Sequence, residues 1–138
     1  MYPEEIVLPM KEELTENGFS ELLSSEEVEA QLAKQGTTLV MINSVCGCSA
    51  GTARPGLLMA VANANPRPDY LTTSFAGFDI EAVNTLRRHL IPYPPSSPSI
   101  ALFKDGQLVH FIERHQIEGR PAQVIAQNLI NAFQQYCN

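Results

Sequence analysis

Apolar residues recur at helical spacing from the start of the chain. Ile6, Val7, Met10 and Leu14 predict an opening helix, with Pro9 as a kink or first-turn residue and Asn17-Gly18 as its end. Ser24 and Glu27 form a capping box for a second helix, on which Val28 and Leu32 share a face and which Gly36 closes. The period then changes. Thr38 to Asn43, TLVMIN, is a continuous run of the kind found in strands covered on both faces. SAGTARPGLLMAVANA returns to helical spacing through Leu57, Leu58, Val61 and Ala62, so Pro55 and Gly56 are expected to bend this helix rather than end it. NPRPD is the loop out, and YLTTSFAGF predicts a second strand. DIEAVNTLRRHLI is amphipathic, with Asp79 as N-cap and Ile80, Val83, Leu86 and Leu90 on its inner side. After the proline-rich PYPPSSP, the strands SIALF and QLVHFI form a hairpin about KDG, where Asp105-Gly106 is a strong turn signal. EGRPAQVIAQNLINAFQQY predicts a last helix, with Pro121 in its first turn and Val124, Ile125, Leu129, Ile130 and Phe133 inward.

From Thr38 onward the order is β-α-β-α-β-β-α. Right-handed crossovers make the first two strands parallel, and the hairpin adds an antiparallel pair. This resembles the thioredoxin arrangement, an α/β fold with a mixed sheet flanked by helices. Residues 1–36 are expected to form a helical extension whose two helices replace the usual opening strand. Residues 37–138 are expected to form the core, the whole being one domain. Open α/β sheets place their sites at the carboxyl edge of the parallel strands. The segment at that edge is VCGCSA.

Composition narrows what this segment can be. The chain has 138 residues, of which 44% are apolar and 17% charged, as in an ordinary globular domain. A net charge of −6 and the lack of a lysine/arginine cluster argue against nucleic acid as partner. No apolar run approaches the length of a membrane span, and the acidic N-terminus lacks the apolar stretch of a signal peptide. The expected location is the cytoplasm, with no membrane partner. There, a close cysteine pair points to catalysis or metal binding rather than to a structural crosslink.

Cys46 stands at the start of a helix, where unpaired N–H groups and the helix dipole favour a thiolate. Cys48 lies within the first turn, where a sulfur points further inward. Cys46 is therefore the candidate nucleophile and Cys48 the resolving thiol, with Gly47 relieving the backbone of the tight ring that a disulfide across one residue would close. Two inert core cysteines are the bland alternative, which the junction disfavours. Pro98 opens the strand that enters antiparallel, so it reaches the same edge. In thioredoxin-like proteins a cis-proline at this place faces the cysteines and presents backbone groups to the substrate, so Ser97–Pro98 is expected to be cis. The hairpin returns ERHQIEGR to this edge as well, making Arg114, His115 and Arg120 candidates to bind an anionic substrate or steady a thiolate; solvated loop charges are the alternative for each. Arg54 is expected to make a structural contact and Cys137 to be a bystander near the end of the chain, while Phe75 and Phe78 are candidates for an apolar rim, with core packing expected of at least one.

NSVCGCSAGTARP, SSPSIALF and HFIERHQIEGR, together with VLPMKEELTENGFSEL, are similar to the bacilliredoxin family over essentially the whole chain. The resemblance implies a thioredoxin-like fold and a C-G-C site at Cys46 and Cys48. It implies removal of bacillithiol, a low-molecular-weight thiol, from S-bacillithiolated client proteins. Bacillithiol would be a co-substrate, with no bound cofactor. A weak general disulfide isomerase or reductase activity is the alternative. A metal-binding C-x-C module would need further ligands from His110, His115 or Cys137, none at ligand spacing, and no metal is expected. A non-catalytic thioredoxin-like binding module is disfavoured by the retained cysteine pair.

Overall fold

Strand β2 (Thr37–Asn43) occupies the middle of the sheet, and its sequence accounts for that place. All seven of its residues are buried. Side chains alternate across a strand, so Leu39 and Met41 join the apolar cluster on one face, while Val40 and Ile42 join that on the other. The computed structural model describes residues 1–138. Its other strands are β1 (Ser20–Glu21), β3 (Tyr70–Phe75), β4 (Ser99–Lys104) and β5 (Gln107–Ile112). The sheet order is β1-β3-β2-β4-β5, with β3 parallel to both β1 and β2, and β4 antiparallel to both β2 and β5.

The helices are α1 (Glu4–Thr15), α2 (Ser25–Leu32), α3 (Arg54–Asn63), α4 (Ile80–Arg88), α5 (Arg114–Ile117) and α6 (Ala122–Tyr136). Leu57 and Ala60 of α3 and Ile125, Leu129 and Phe133 of α6 cover one face of the sheet. Val28 and Leu32 of α2 and Val83 and Leu86 of α4 cover the other. Gly56 lets α3 approach α6 closely. A Cβ there would lie 2.8 Å from both the Ala122 carbonyl oxygen and Ile125 Cβ.

The N-terminal segment departs from expectation. Its helices do not replace the opening strand: Ser20 and Glu21 pair with Thr72 and Thr73 as a short edge strand. Two residues carry no periodic pattern, so this strand has no signature. Ile6, Ile80 and Val124 are exposed rather than inward. On α1 the inward row is Val7, Lys11 and Leu14. Lys11 can take that place because its ammonium meets Glu21 at 2.8 Å and Asp79 at 3.1 Å, and lies 4.8 Å from the Phe78 ring centroid. The capping box of α2 is also shifted. The Glu27 N–H donates to Ser24 Oγ, but the Glu27 carboxylate accepts from Leu23 N, one residue earlier than the usual box.

The hairpin turn has positive φ at Asp105 (51°) and Gly106 (80°), the conformation of a tight two-residue turn. Between β2 and α3 the chain makes a π-helical turn, Ser49–Ala53, in which Arg54 N donates to Ser49 O. Pro55 has no N–H to give to the preceding turn, so the ladder here is widened and not merely bent.

Candidate active site

β2 ends on two polar residues, and they build the junction that carries the cysteines. Asn43 is buried, and its Oδ1 accepts from Ser44 N (2.9 Å), Ser49 Oγ (3.0 Å) and Arg54 Nη1 (2.8 Å). Arg54, 1% exposed, also donates to Ser44 O and Ser49 Oγ and pairs with Glu13 at 3.0 Å. A buried guanidinium thus ties the end of β2, the π turn and α1 together, which is the structural contact expected of it. Ser44 Oγ in turn accepts from Cys46 N at 3.0 Å. No periodicity marks Asn43, Ser44 and Ser49 as supports of the site; their signal is the polar residues at the end of an apolar run, which when buried must be satisfied.

Cys46 is the residue at which the helix begins. Its carbonyl accepts from Ser49 N at 2.9 Å and Ala50 N at 3.3 Å, so its side chain takes the N-cap position. Cys46 and Cys48 are free thiols with their sulfurs 2.7 Å apart. Their acidities diverge. The hydrogen bond from Cys48 lowers the Cys46 pKa, and the backbone N–H groups of Cys48 and Ser49 and the positive charge of Arg114 add to the effect against a partial burial cost. Burial, then the neighbouring Cys46, pushes Cys48 up to about 11. Cys48 packs against the apolar cluster beneath α3 and α6. The arrangement places the more acidic thiol beside the cavity and the less acidic one against the core.

A cavity of about 420 Å³ opens beside Cys46. Ser44 and Cys46 line it after β2, Gly77 after β3 and Ser97 before β4; Arg87 of α4 and Arg114 of α5 supply its cationic groups. Tyr2 also borders it, its ring resting where a Cβ on Gly77 would lie, only 2.5 Å from Tyr2 Cε2. Gly77 has φ 79°, so both conformation and space favour glycine there.

Of the candidate residues, the structure brings Cys46, Ser97 and Arg114 together on this cavity. The Ser97–Pro98 bond is cis, and Pro98 is buried behind Ser97 at the entry to β4. Arg114 Nη1 donates to Ser97 O at 3.4 Å, and its Nε pairs with Glu118. Arg120 and His115 do not line the cavity. The Arg120 side chain is exposed and its carbonyl accepts from Thr52 Oγ1 at 2.8 Å, whereas His115 pairs with Glu113 at 3.1 Å. Helix α5 is the reason: it spans four residues, held by a capping box between Glu113 and Gln116, and its turn separates Arg114 from His115 and Arg120. Gly47 is exposed, its φ is not positive, and a Cβ on it would meet nothing within 4 Å, so the freedom of glycine is not used in the dithiol form. Phe75 is in the core. Of the further metal-type side chains, His110 bonds Asn128, His115 pairs with Glu113 and Cys137 reaches Thr37.

A thioredoxin-type sheet edge bearing two adjacent free thiols of divergent acidity defines a thiol-disulfide oxidoreductase. Solved structures share the fold: the oxidised thioredoxin of Plasmodium falciparum (TM-score 0.58, 14% identity, 83% of this chain and 97% of that one) and mitochondrial thioredoxin 3 of Saccharomyces cerevisiae (TM-score 0.59, 15% identity, 89% and 98%). The sequence model of a family described as disulphide isomerase matches residues 2–137. A bacilliredoxin of Cytophaga hutchinsonii is 58% identical over 129 residues, covering 94% of this chain and 95% of its own. One of Halalkalibacterium halodurans is 50% identical over 137 residues, covering 99% and 94%. The chain belongs to the bacilliredoxin family.

Proposed function

We propose that this enzyme removes bacillithiol from S-bacillithiolated proteins in the cytoplasm, with bacillithiol as co-substrate and no bound cofactor. The observation that carries the reading is the placement of the acidified Cys46 sulfur on a cationic cavity of small-molecule size, with the protonated Cys48 thiol immediately behind it. The bacilliredoxin names of relatives over nearly the full chain support it.

The Cys46 thiolate attacks the bacillithiol sulfur of the mixed disulfide. A bond forms between Cys46 and bacillithiol, the bond to the client breaks, and the client leaves as a thiolate that takes a proton from water. Two exits follow. Cys48, after losing its proton, attacks Cys46 Sγ and expels bacillithiol, leaving a Cys46–Cys48 disulfide that two further thiol equivalents reduce. Alternatively, a second bacillithiol attacks the adduct, giving bacillithiol disulfide and free Cys46. Arg114 stabilises the attacking thiolate, and Ser97 at the cavity wall offers backbone groups to the bound disulfide. The high pKa of Cys48 keeps it protonated, and hence a hydrogen-bond donor to Cys46, until the adduct has formed.

The test is a bacillithiolated client protein incubated with the enzyme and bacillithiol, read by intact mass. Loss of the client adduct at a rate proportional to enzyme supports the reading. A client that keeps its adduct while the same enzyme reduces or reshuffles ordinary protein disulfides would leave the general reductase or isomerase alternative.

A further inference from the structure

Arg87 was not singled out by any sequence pattern, yet it lines the cavity beside Cys46. It is half-buried, and its Nε is buried with no hydrogen-bond partner. The chain has 15 Asp and Glu against 9 Lys and Arg, so carboxylates are plentiful, but every ion pair that forms engages another cation. Leaving a guanidinium half-desolvated and unpaired is costly unless something else meets it. Arg114 enters the same cavity from a different element, with Glu118 on its Nε and a long 3.4 Å contact from Nη1 to Ser97 O, which leaves its Nη2 edge free. Two planar forks facing one small cavity suit a carboxylate, which accepts paired N–H bonds.

We propose that Arg87 and Arg114 form a carboxylate-binding subsite beside Cys46, selecting low-molecular-weight thiols that carry carboxylate groups. The proposal rests on reading the cavity as the place where the small thiol is held. Arg87 is the specificity-determining residue, because it has no other partner. Arg114 serves both the subsite and the Cys46 thiolate. A neutral thiol gains nothing from either guanidinium in its bound state.

The experiment uses one client protein carrying either a mercaptosuccinate mixed disulfide, with two carboxylates, or a 2-mercaptoethanol mixed disulfide, with none. The quantity read is the ratio of kcat/KM for the charged substrate over the neutral one. In Arg87→Met, which keeps side-chain volume, the ratio falls about tenfold, chiefly through KM for the charged substrate. Arg87→Lys retains part of the ratio because charge remains without the fork, and it carries the test should the methionine variant fold poorly. Arg88→Met changes the net charge equally on the same helix but outside the cavity, and leaves the ratio unchanged. Added salt lowers the wild-type ratio and has little effect on that of Arg87→Met. An unchanged ratio in Arg87→Met, or an equal fall in Arg88→Met, overturns the subsite. An Arg87-dependent preference for mercaptosuccinate without action on bacillithiolated clients would overturn the bacillithiol reading alone. Debacillithiolation indifferent to Arg87 would overturn the subsite alone.

Discussion

Cys46 and Cys48 carry the same side chain two positions apart, yet their acidities are pushed in opposite directions. Cys46 accepts from Cys48 and from two helix N–H groups, whereas Cys48 is held against the core. An ordinary thiol titrates near ~8.5, so a lowered pKa gives Cys46 a larger thiolate fraction at neutral pH than a free cysteine has. Alkylation of Cys46 by iodoacetamide is therefore expected to rise through a midpoint below the ordinary thiol value, with Cys48 unlabelled until far more alkaline pH. Cys48→Ala removes the hydrogen bond that lowers the Cys46 pKa most and raises that midpoint. Cys48→Ser keeps a hydroxyl donor and retains most of the shift. Mass-resolved labelling across pH reads both. Which cysteine meets the helix N–H groups and which meets the core was legible in the sequence, because the position of each on the helix sets its neighbours. The choice among the basic residues of ERHQIEGR was not. It depends on a four-residue helix that no periodicity announces, and Arg87 comes from an element far away in the chain.

At the scale of elements, the strand-to-helix junction depends on contacts that hydropathy does not display. Arg54 joins Asn43, Ser44, Ser49 and Glu13. Arg54→Leu fits the buried site in size but leaves Asn43 Oδ1, Ser44 O and Ser49 Oγ each short of a donor. The expected loss is about 2–4 kcal/mol in urea unfolding, with slower Cys46 alkylation because the Asn43-Ser44 support of Cys46 is loosened. Gly56 gives a second test with an unusual sign. Glycine to alanine inside a helix normally stabilises by about 1 kcal/mol. Here the new methyl would stand 2.8 Å from the Ala122 carbonyl, so Gly56→Ala is expected to destabilise by about 1–3 kcal/mol by the same measurement. The sequence marked Gly56 only as a bend; the close packing of α3 on α6 is a tertiary fact. Helices α3, α4 and α6 were readable because each buries three or more apolar residues at helical spacing, whereas α1 and α2 bury two each and rest on their end signals as well. Where the expected row was wrong, as at Ile6, Ile80 and Val124, a neighbouring position supplied the buried group instead, Lys11 on α1 being the clearest case.

For the molecule as a whole, the parallel pairing of β2 with β3 and the antiparallel β4–β5 hairpin were visible in the sequence from Thr38 onward, whereas the place of β4 beside β2 followed only from the resemblance to the thioredoxin arrangement. The opening strand was missed because it has only two residues, Ser20 and Glu21, held by main-chain pairing to Thr72 and Thr73. No helix is long and apolar enough to cross a membrane. Every wall of the cavity beside Cys46 comes from a different part of the chain: the segments after β2 and β3, the approach to β4, α4, α5 and the N-terminal Tyr2. The fold matters to function because it gathers these segments around one sulfur. The most direct measurement of that claim is a trapping experiment with Cys48→Ser and a bacillithiolated client, followed by peptide mapping of the enzyme. With the internal exit removed and no free thiol added, the client is expected to be released and one bacillithiol to remain on Cys46, stoichiometric with the client freed. An adduct on Cys48→Ser protein at Cys137, a disulfide between enzyme and client without transfer of bacillithiol, or a client that keeps its adduct would contradict it.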